Sequence, residues 1–293
     1  MARGESSVEA LHSESIGQCG NIDRAVVSGF GDEWSRFDQS ALSSVEWEAM
    51  AQIYFELLDW SGLPPHASGF DLGCGSGRWA RYAAPRVKTL HCIDASPVAL
   101  EVARRNLSSM PNVEFHLASV NAIPLADESQ DFGYSLGVLH HVPNTAEGIK
   151  AAVAKLKPGA PFLVYLYYAL ENRPAWFRAV WRTTDGARRV VSRLPYSMRY
   201  GVSQVIAATV YYPLARTARL LERASINVAN LPLSAYRHRS FYVMRTDALD
   251  RFGTRLEQRF TRDQIRAMLQ SAGLEKITFS GSAFWCAVGW KRA

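Results

Sequence analysis

Asp71 is followed by glycine at every second position, Gly73, Gly75 and Gly77, within Phe70-Asp71-Leu72-Gly73-Cys74-Gly75-Ser76-Gly77-Arg78-Trp79. A glycine-rich turn between a strand and a helix lets backbone approach a ligand more closely than any side chain permits. A dinucleotide site would show G-x-G-x-x-G with a helix N-terminus aimed at pyrophosphate. Here an acid stands two positions before G-x-G-x-G, which suits a ligand carrying an amine and a positive centre. Asp94 lies 23 residues beyond Asp71, closing the run Leu90-His91-Cys92-Ile93. A carboxylate at the tip of the neighbouring strand can accept both hydroxyls of a ribose. Strand, glycine loop, helix, strand and acid together imply a ligand that contains a nucleoside.

These residues need elements to hold them. Strands are expected near 67–72, 88–94, 112–117, 131–137 and 160–168, separated by helices, an alternation that argues a parallel sheet covered on both faces. Ser96 caps a helix with Pro97 at its first position and Leu100, Ala103 and Leu107 on one face. Asn144 with Glu147, and Thr261 with Gln264, start two more helices. Residues 274–281 and 283–290 read as a final pair of strands. Upstream, Ser43 and Glu46 have capping-box spacing ahead of Met50, Ile53, Tyr54, Leu57 and Leu58. The patch Gly31 to Asp38 is not helix-periodic, and Trp34 and Phe37 in it either cover a ligand or pack on the core.

The chain resembles the class I S-adenosylmethionine-dependent methyltransferases, in particular their large ubiquinone-biosynthesis-like branch (type 11). Five motifs carry the resemblance, in order: Asp71 to Gly77; Asp94; Ile123-Pro124-Leu125-Ala126-Asp127 with Gln130-Asp131-Phe132; Leu136-Gly137-Val138-Leu139-His140-His141-Val142; and Leu156-Lys157-Pro158-Gly159-Ala160. It covers roughly residues 64–168 and 261–293. The fold it implies is α/β, a Rossmann-like seven-stranded doubly wound sheet with a C-terminal antiparallel strand pair and a large helical insertion after strand five. The cofactor it implies is S-adenosyl-L-methionine, with Asp71, Gly73, Gly75 and Gly77 at the methionine end and Asp94 and Ala95 at the ribose. Val120 and Gly137 complete the expected contacts. The family often meets the adenine amino group with an acid where this chain has Ser119; the serine hydroxyl or the Asn121 side chain can take that role.

Four domain segments follow: residues 1–28 as a flexible tail, 29–63 as a helical lid, 64–168 with 261–293 as the cofactor-binding domain, and 169–260 as a helical insertion. Between Arg173 and Arg223 ten arginines face only Asp185 and Glu222, interleaved with aromatic residues. The apolar stretch from Tyr200 to Ala215 is short for a membrane span. The insertion reads as a cap packed on the core, as an element lying at a membrane surface, or, with least support, as a nucleic-acid surface. The chain of 293 residues is 48% hydrophobic and carries a net charge of +6, ordinary for a globular protein. Cys19, Cys74, Cys92 and Cys286 are scattered without metal spacing, and no N-terminal signal peptide is visible. A reduced, cytoplasmic setting and no metal are therefore expected.

Methyl transfer from a sulfonium needs an aligned acceptor, exclusion of water and, for a hydroxyl, a proton acceptor. His140 and His141 at the end of strand four are the first candidates for that base, with Tyr165, Tyr167 and Tyr168 at the end of strand five beside them; His238 is a second candidate from the insertion. The N/D-P-P-aromatic signature of amide and nucleobase N-methylation is missing, and no carboxylate cluster of the magnesium-dependent catechol type follows strand four. The expected reaction is methylation of a small-molecule or amphiphilic acceptor, at oxygen or on a phenolic or quinone-type ring carbon. The arginines would suit an anionic acceptor. A non-catalytic cofactor-binding module and a nicotinamide-dependent dehydrogenase are the readings from other classes, the latter opposed by the glycine spacing.

Overall fold

The computed structural model describes residues 20–281 and 285–293; Cys19 and most of the expected tail lie outside them. Seven strands, β1 (Ser68–Leu72), β2 (Thr89–Asp94), β3 (Val113–Leu117), β4 (Phe132–Leu136), β5 (Pro161–Tyr165), β6 (Leu274–Phe279) and β7 (Cys286–Lys291), form one sheet in the order β3-β2-β1-β4-β5-β7-β6. The first five are parallel, and β7 runs antiparallel to both β5 and β6. This is the doubly wound α/β sheet expected. The chain order reverses between β1 and β4, so their carboxyl ends open a crevice. β5 stops at Tyr165, three residues before the expected end. Its last ladder partner is Cys286, and beyond that pair β7 offers no further rung.

Each face of the sheet has its own apolar core. One gathers Phe55, Leu90, Phe132, Tyr134 and Leu163; the other gathers Phe70, Ile93, Leu139, Ile149 and Phe162, all essentially inaccessible to water. Helices α3 (Ala80–Ala83), α4 (Pro97–Asn106), α5 (Thr145–Ala154) and α10 (Arg262–Ser271) flank the sheet. The caps foreseen for three of these helices are present: Ser96, Asn144 and Thr261 each accept a backbone N–H from three residues on. Thr261 and Gln264 complete both halves of a capping box.

The N-terminal reading needs correction. Helix α1 runs Arg24–Arg36, so residues 24–28 are helix rather than flexible tail, and the patch thought aperiodic is helical. Its N-terminus is held by Asp23, which accepts the amides of Ala25 and Val26. The buried face is Val26, Gly31 and Glu33. A glycine and a carboxylate at core-facing positions erase the apolar period from which a helix is read. Gly31 sits where a Cβ would lie 2.7 Å from Ser96 Oγ, which lets α1 pack closely on α4. In α2 (Ser44–Phe55), Ser43 caps as foreseen, but Glu46 does not reach back; its carboxylate accepts the Ser240 amide at 2.7 Å instead.

The insertion is helical: α6 (Ala175–Val191), α7 (Tyr196–Ile206), α8 (Tyr212–Arg223) and α9 (Phe241–Gly253). α7 passes into α8 through a π-helical segment, Ala207–Tyr211. Pro213 follows that segment, within the first turn of α8, and has no N–H to give the ladder. Among the described residues, no helix is long and apolar enough to cross a membrane. Phe37 ties the N-terminal helices to the insertion: it is 2% exposed, packed edge-on against Tyr242 and near Tyr200, with the Arg245 guanidinium over its ring. Phe37→Ala is expected to lower unfolding free energy by about 3 kcal/mol, read from the shift of the urea midpoint; a change below about 1 kcal/mol would show that this packing is dispensable.

Candidate active site

Asp94 is the joint of the site. Its Oδ2 accepts the Gly75 amide at 2.9 Å and its Oδ1 accepts the Ser96 amide at 2.8 Å, so the glycine loop and the start of α4 converge on one carboxylate. The amides of Gly73 and Cys74 both donate to the Ile93 carbonyl, at 2.7 and 3.1 Å, pinning the loop to the end of β2. Gly73 has φ +81°, and a Cβ there would lie 2.4 Å from Val138. Gly75 has φ +54°, and a Cβ there would lie 2.8 Å from the Trp34 indole nitrogen. Both positions therefore require glycine, and Trp34 of α1 lies directly against the loop.

A cavity of about 420 Å³ opens over this loop, within the size range of small-molecule sites. Of the residues expected at the site, Gly73, Gly75, Asp94, Ala95, Ser119, Val120, Gly137 and His141 line it. Asp71, Gly77, Asn121, His140 and His238 are not on its wall. Asp71 is buried beneath the loop, 1% exposed, with Oδ2 lacking a hydrogen-bond partner. Burial pushes its carboxyl up to about 8, the Tyr134 hydroxyl opposing and the Asp94 charge adding to the rise. Gly77 turns the chain behind the loop, where a Cβ would strike Leu107. Asn121 is already engaged, its Oδ1 accepting Asn21 Nδ2 at 3.0 Å. Ser119, by contrast, is buried on the wall with an unpartnered hydroxyl. Of the two residues considered for the adenine, Ser119 is the one the fold leaves free.

The histidines separate sharply. His140 is wholly buried, stacked on Tyr167 with ring centroids 3.8 Å apart, and neither ring nitrogen has a partner. Burial, then the neighbouring His141 and Arg259, hold its pKa far below the usual value. It has no path to a substrate. His238 sits on the surface, its Nε2 2.7 Å from Glu222 Oε2, and does not reach down from the insertion. His141 alone of the three faces the cavity. Its Nδ1 lies 2.7 Å from the Leu256 carbonyl, which can only accept, so Nδ1 carries the proton and Nε2 presents a lone pair. Asp250 Oδ1 lies 3.7 Å from Nε2, and Asp250 Oδ2 accepts the Tyr167 hydroxyl.

Several wall residues escaped the sequence. Asn21 bridges Asn121 and Asn144 from a segment expected to be tail. Glu33 of α1 and Asp247 and Asp250 of α9 converge on the far half of the cavity, near Arg78 and Arg239. Burial raises the Glu33 carboxyl, helped by the Asp250 and Asp247 charges. Burial also brings Asp247 to about 6, with Arg78 pulling the other way. No local pattern marks these acids, because tertiary packing of α1 and α9 brings them together. Of the ten arginines between 173 and 223, only Arg173 lines the cavity. Two of the cavity's other arginines, Arg251 and Arg259, are paired with Glu257 at 2.6 and 2.8 Å.

The raised carboxyl of Asp71 has a sign that can be checked. An unfolded aspartate ionises near pH 4, so between about pH 4 and 8 unfolding releases a proton and stability falls as pH rises. Above pH 8 the term is constant. Asp71→Asn is therefore expected to gain on the parent protein by about 1 kcal/mol per pH unit from pH 5 to 8, measured as the difference between urea midpoints. Parallel pH profiles for the two proteins would remove Asp71 as a source of strain.

The glycine cradle, the amide-held Asp94 and the free Ser119 hydroxyl on the cavity wall fit a nucleoside. A family model described as a methyltransferase domain, type 11, matches residues 70–164. The chain is 32% identical over 155 residues to an uncharacterized 37.1 kDa protein in a transposon of Streptomyces fradiae, covering 52% of this chain and 44% of that one; it thus spans less than half of that relative. It is 28% identical over 181 residues to a ubiquinone biosynthesis O-methyltransferase of Thiobacillus denitrificans, covering 60% of this chain and 74% of that one. The fold matches human N-acetylserotonin methyltransferase in complex with S-adenosylmethionine, with TM-score 0.52 and 17% identity over 90% of this chain and 57% of that one. Residues 70–164 thus carry a methyltransferase domain of type 11, with S-adenosylmethionine as the cofactor that the site fits.

Proposed function

We propose that the protein transfers a methyl group to a hydroxyl oxygen of a small-molecule or amphiphilic acceptor, with His141 as the proton acceptor. One observation carries this reading: a single cavity is lined by the glycine loop, Asp94 and His141, whose Nε2 has no hydrogen-bond partner. When bound, the cofactor supplies a methyl group activated by a sulfonium. The chain's own task is to place the acceptor, exclude water and take up its proton. A hydroxyl placed at Nε2 gives its proton to the imidazole, and Asp250 stabilises the imidazolium that forms. Tyr167 holds Asp250 in place through its hydroxyl. Phe177, Trp181 and Tyr211 line the same cavity and supply an apolar, aromatic wall for the acceptor's body.

The name of the Thiobacillus relative supports oxygen over nitrogen or carbon as the methylated atom. An amphiphilic acceptor is supported by the outside of the insertion. Trp176 of α6 and Leu220 of α8 are 50% and 63% exposed, each within three residues in sequence of an arginine (Arg178; Arg219 and Arg223), a composition that suits an anionic membrane surface. Four arginines of the insertion, Arg173, Arg239, Arg251 and Arg259, line the cavity, and the pairing of Arg251 and Arg259 with Glu257 leaves Arg173 and Arg239 as the ones that would favour an anionic acceptor.

The test uses methyl-labelled S-adenosylmethionine with a panel of catechols, hydroxylated quinols and fatty acids. His141→Gln is expected to lower kcat by about 10²- to 10⁴-fold on a hydroxyl acceptor while S-adenosylmethionine affinity by calorimetry changes less than about twofold. Asp94→Ala serves as the control in which cofactor affinity itself is lost. An unchanged kcat in His141→Gln would sink the base assignment. Label recovered on a ring carbon would replace oxygen by carbon as the site of transfer.

A further inference from the structure

We infer a divalent metal site, unrelated to the active-site cavity, formed by His91 of β2 and Glu114 and His116 of β3. The register pairs His91 with Glu114 across the two parallel strands, and His116 lies two residues further along β3, so all three side chains share one face of the sheet. β3 is the edge strand, and the chain passes from β3 to β4 without a helix, leaving this corner of the face open to solvent. Glu114 is 59% exposed there, while His91 is mostly buried beside it.

The donor atoms converge on one point. His91 Nδ1 lies 3.1 Å from His116 Nε2 and 3.3 Å from Glu114 Oε2, and one donor atom from each residue falls within 4.8 Å of the others. Two ligand atoms on a tetrahedral ion with bonds of about 2.0–2.1 Å are about 3.3 Å apart, so these separations already match.

The protonation pattern points the same way. Ser68 Oγ donates to Gln130 Oε1 at 3.2 Å, which leaves its lone pairs to face His91 Nε2 at 3.5 Å. In the tautomer that gives its Nε2 proton to Ser68 Oγ, His91 turns the Nδ1 lone pair toward a carboxylate oxygen. A lone pair and a carboxylate 3.3 Å apart repel unless a cation lies between them. A hydrogen bond from His116 to His91 satisfies the imidazoles but leaves the carboxylate facing the lone pair; a metal ion satisfies all three. Ser68 then acts as the outer partner that orients a ligating histidine. Two imidazoles and one carboxylate, with room for water at the open side, favour zinc and its borderline neighbours over magnesium or calcium.

The test is calorimetric titration of the full-length protein, free of any histidine tag, with zinc chloride. Cobalt(II) absorption between 500 and 700 nm provides a second readout. One equivalent of zinc is expected to bind at micromolar or better affinity and to raise Tm. Glu114→Gln, at an exposed position that cannot disturb the core, is expected to weaken binding at least tenfold, and His116→Gln to abolish it, with S-adenosylmethionine affinity unchanged in both. Absence of zinc binding by the parent protein, or binding indifferent to both substitutions, would overturn the site and leave an ordinary hydrogen-bonded histidine pair.

Discussion

Two backbone amides on one carboxylate hold this protein's working part together. Asp94 ends β2, receives Gly75 from the loop after β1 and receives Ser96 from the cap of α4. Those bonds fix the loop relative to the strand, and the loop in turn sets the floor of the cavity. A carboxylate bonded to backbone N–H groups is a strong, directional acceptor, and its two oxygens are oriented before any ligand arrives. The α1 helix then has a surface on which to lie, with Trp34 over Gly75 and Gly31 against Ser96. Loss of the geometry at Asp94 would therefore propagate through loop, cap and N-terminal helix together.

The two ends of the cavity differ in electrostatic character. Beneath the cofactor loop, Asp71 is shielded from water and has an unpartnered oxygen, an arrangement that disfavours ionisation until a positive charge approaches. At the far end, three carboxyls and two arginines crowd together, and burial keeps Glu33 and Asp247 easier to protonate than free acids. His141 lies beside Asp250 at that far end, with its Nδ1 against the Leu256 carbonyl. The fold thus spends stability on poorly solvated charge where chemistry is to occur, the pattern expected of functional sites.

The cofactor half of the site was legible in the sequence because its chemistry is local. Gly73 and Gly75 are needed for their own backbone angles, and Asp94 follows them by one helix and one strand, so spacing alone carries the information. The sheet was legible for the same reason: short apolar runs alternating with capped helices admit few arrangements. The far half was not. Glu33 and Gly31 hide α1 by occupying its buried face, and Asp247 and Asp250 lie on a helix with no distinguishing motif. His140 and His141 are neighbours in the chain, yet a 3₁₀ turn over Leu139–His141 sends one into the core and the other to the cavity. Adjacent residues on such a turn point in different directions, which sequence adjacency conceals. The arginines of the insertion misled for a related reason: charge counts record composition, not direction, and Arg188 is spent inside the insertion on Asp185 and the Thr254 carbonyl.

The cavity wall is divided by origin. The sheet domain contributes the glycine loop, Asp94 and His141, whereas Phe177, Trp181 and Tyr211 come from a single continuous insertion after β5. The insertion also supplies Asp250 and the Leu256 carbonyl beside His141, so the cofactor cradle is encoded apart from the insertion whereas the surroundings of His141 are not. Substitutions in the insertion's aromatic wall can reshape the cavity without touching the glycine loop or Asp94. Such a layout offers a protein engineer a replaceable aromatic cassette mounted on a fixed cofactor cradle.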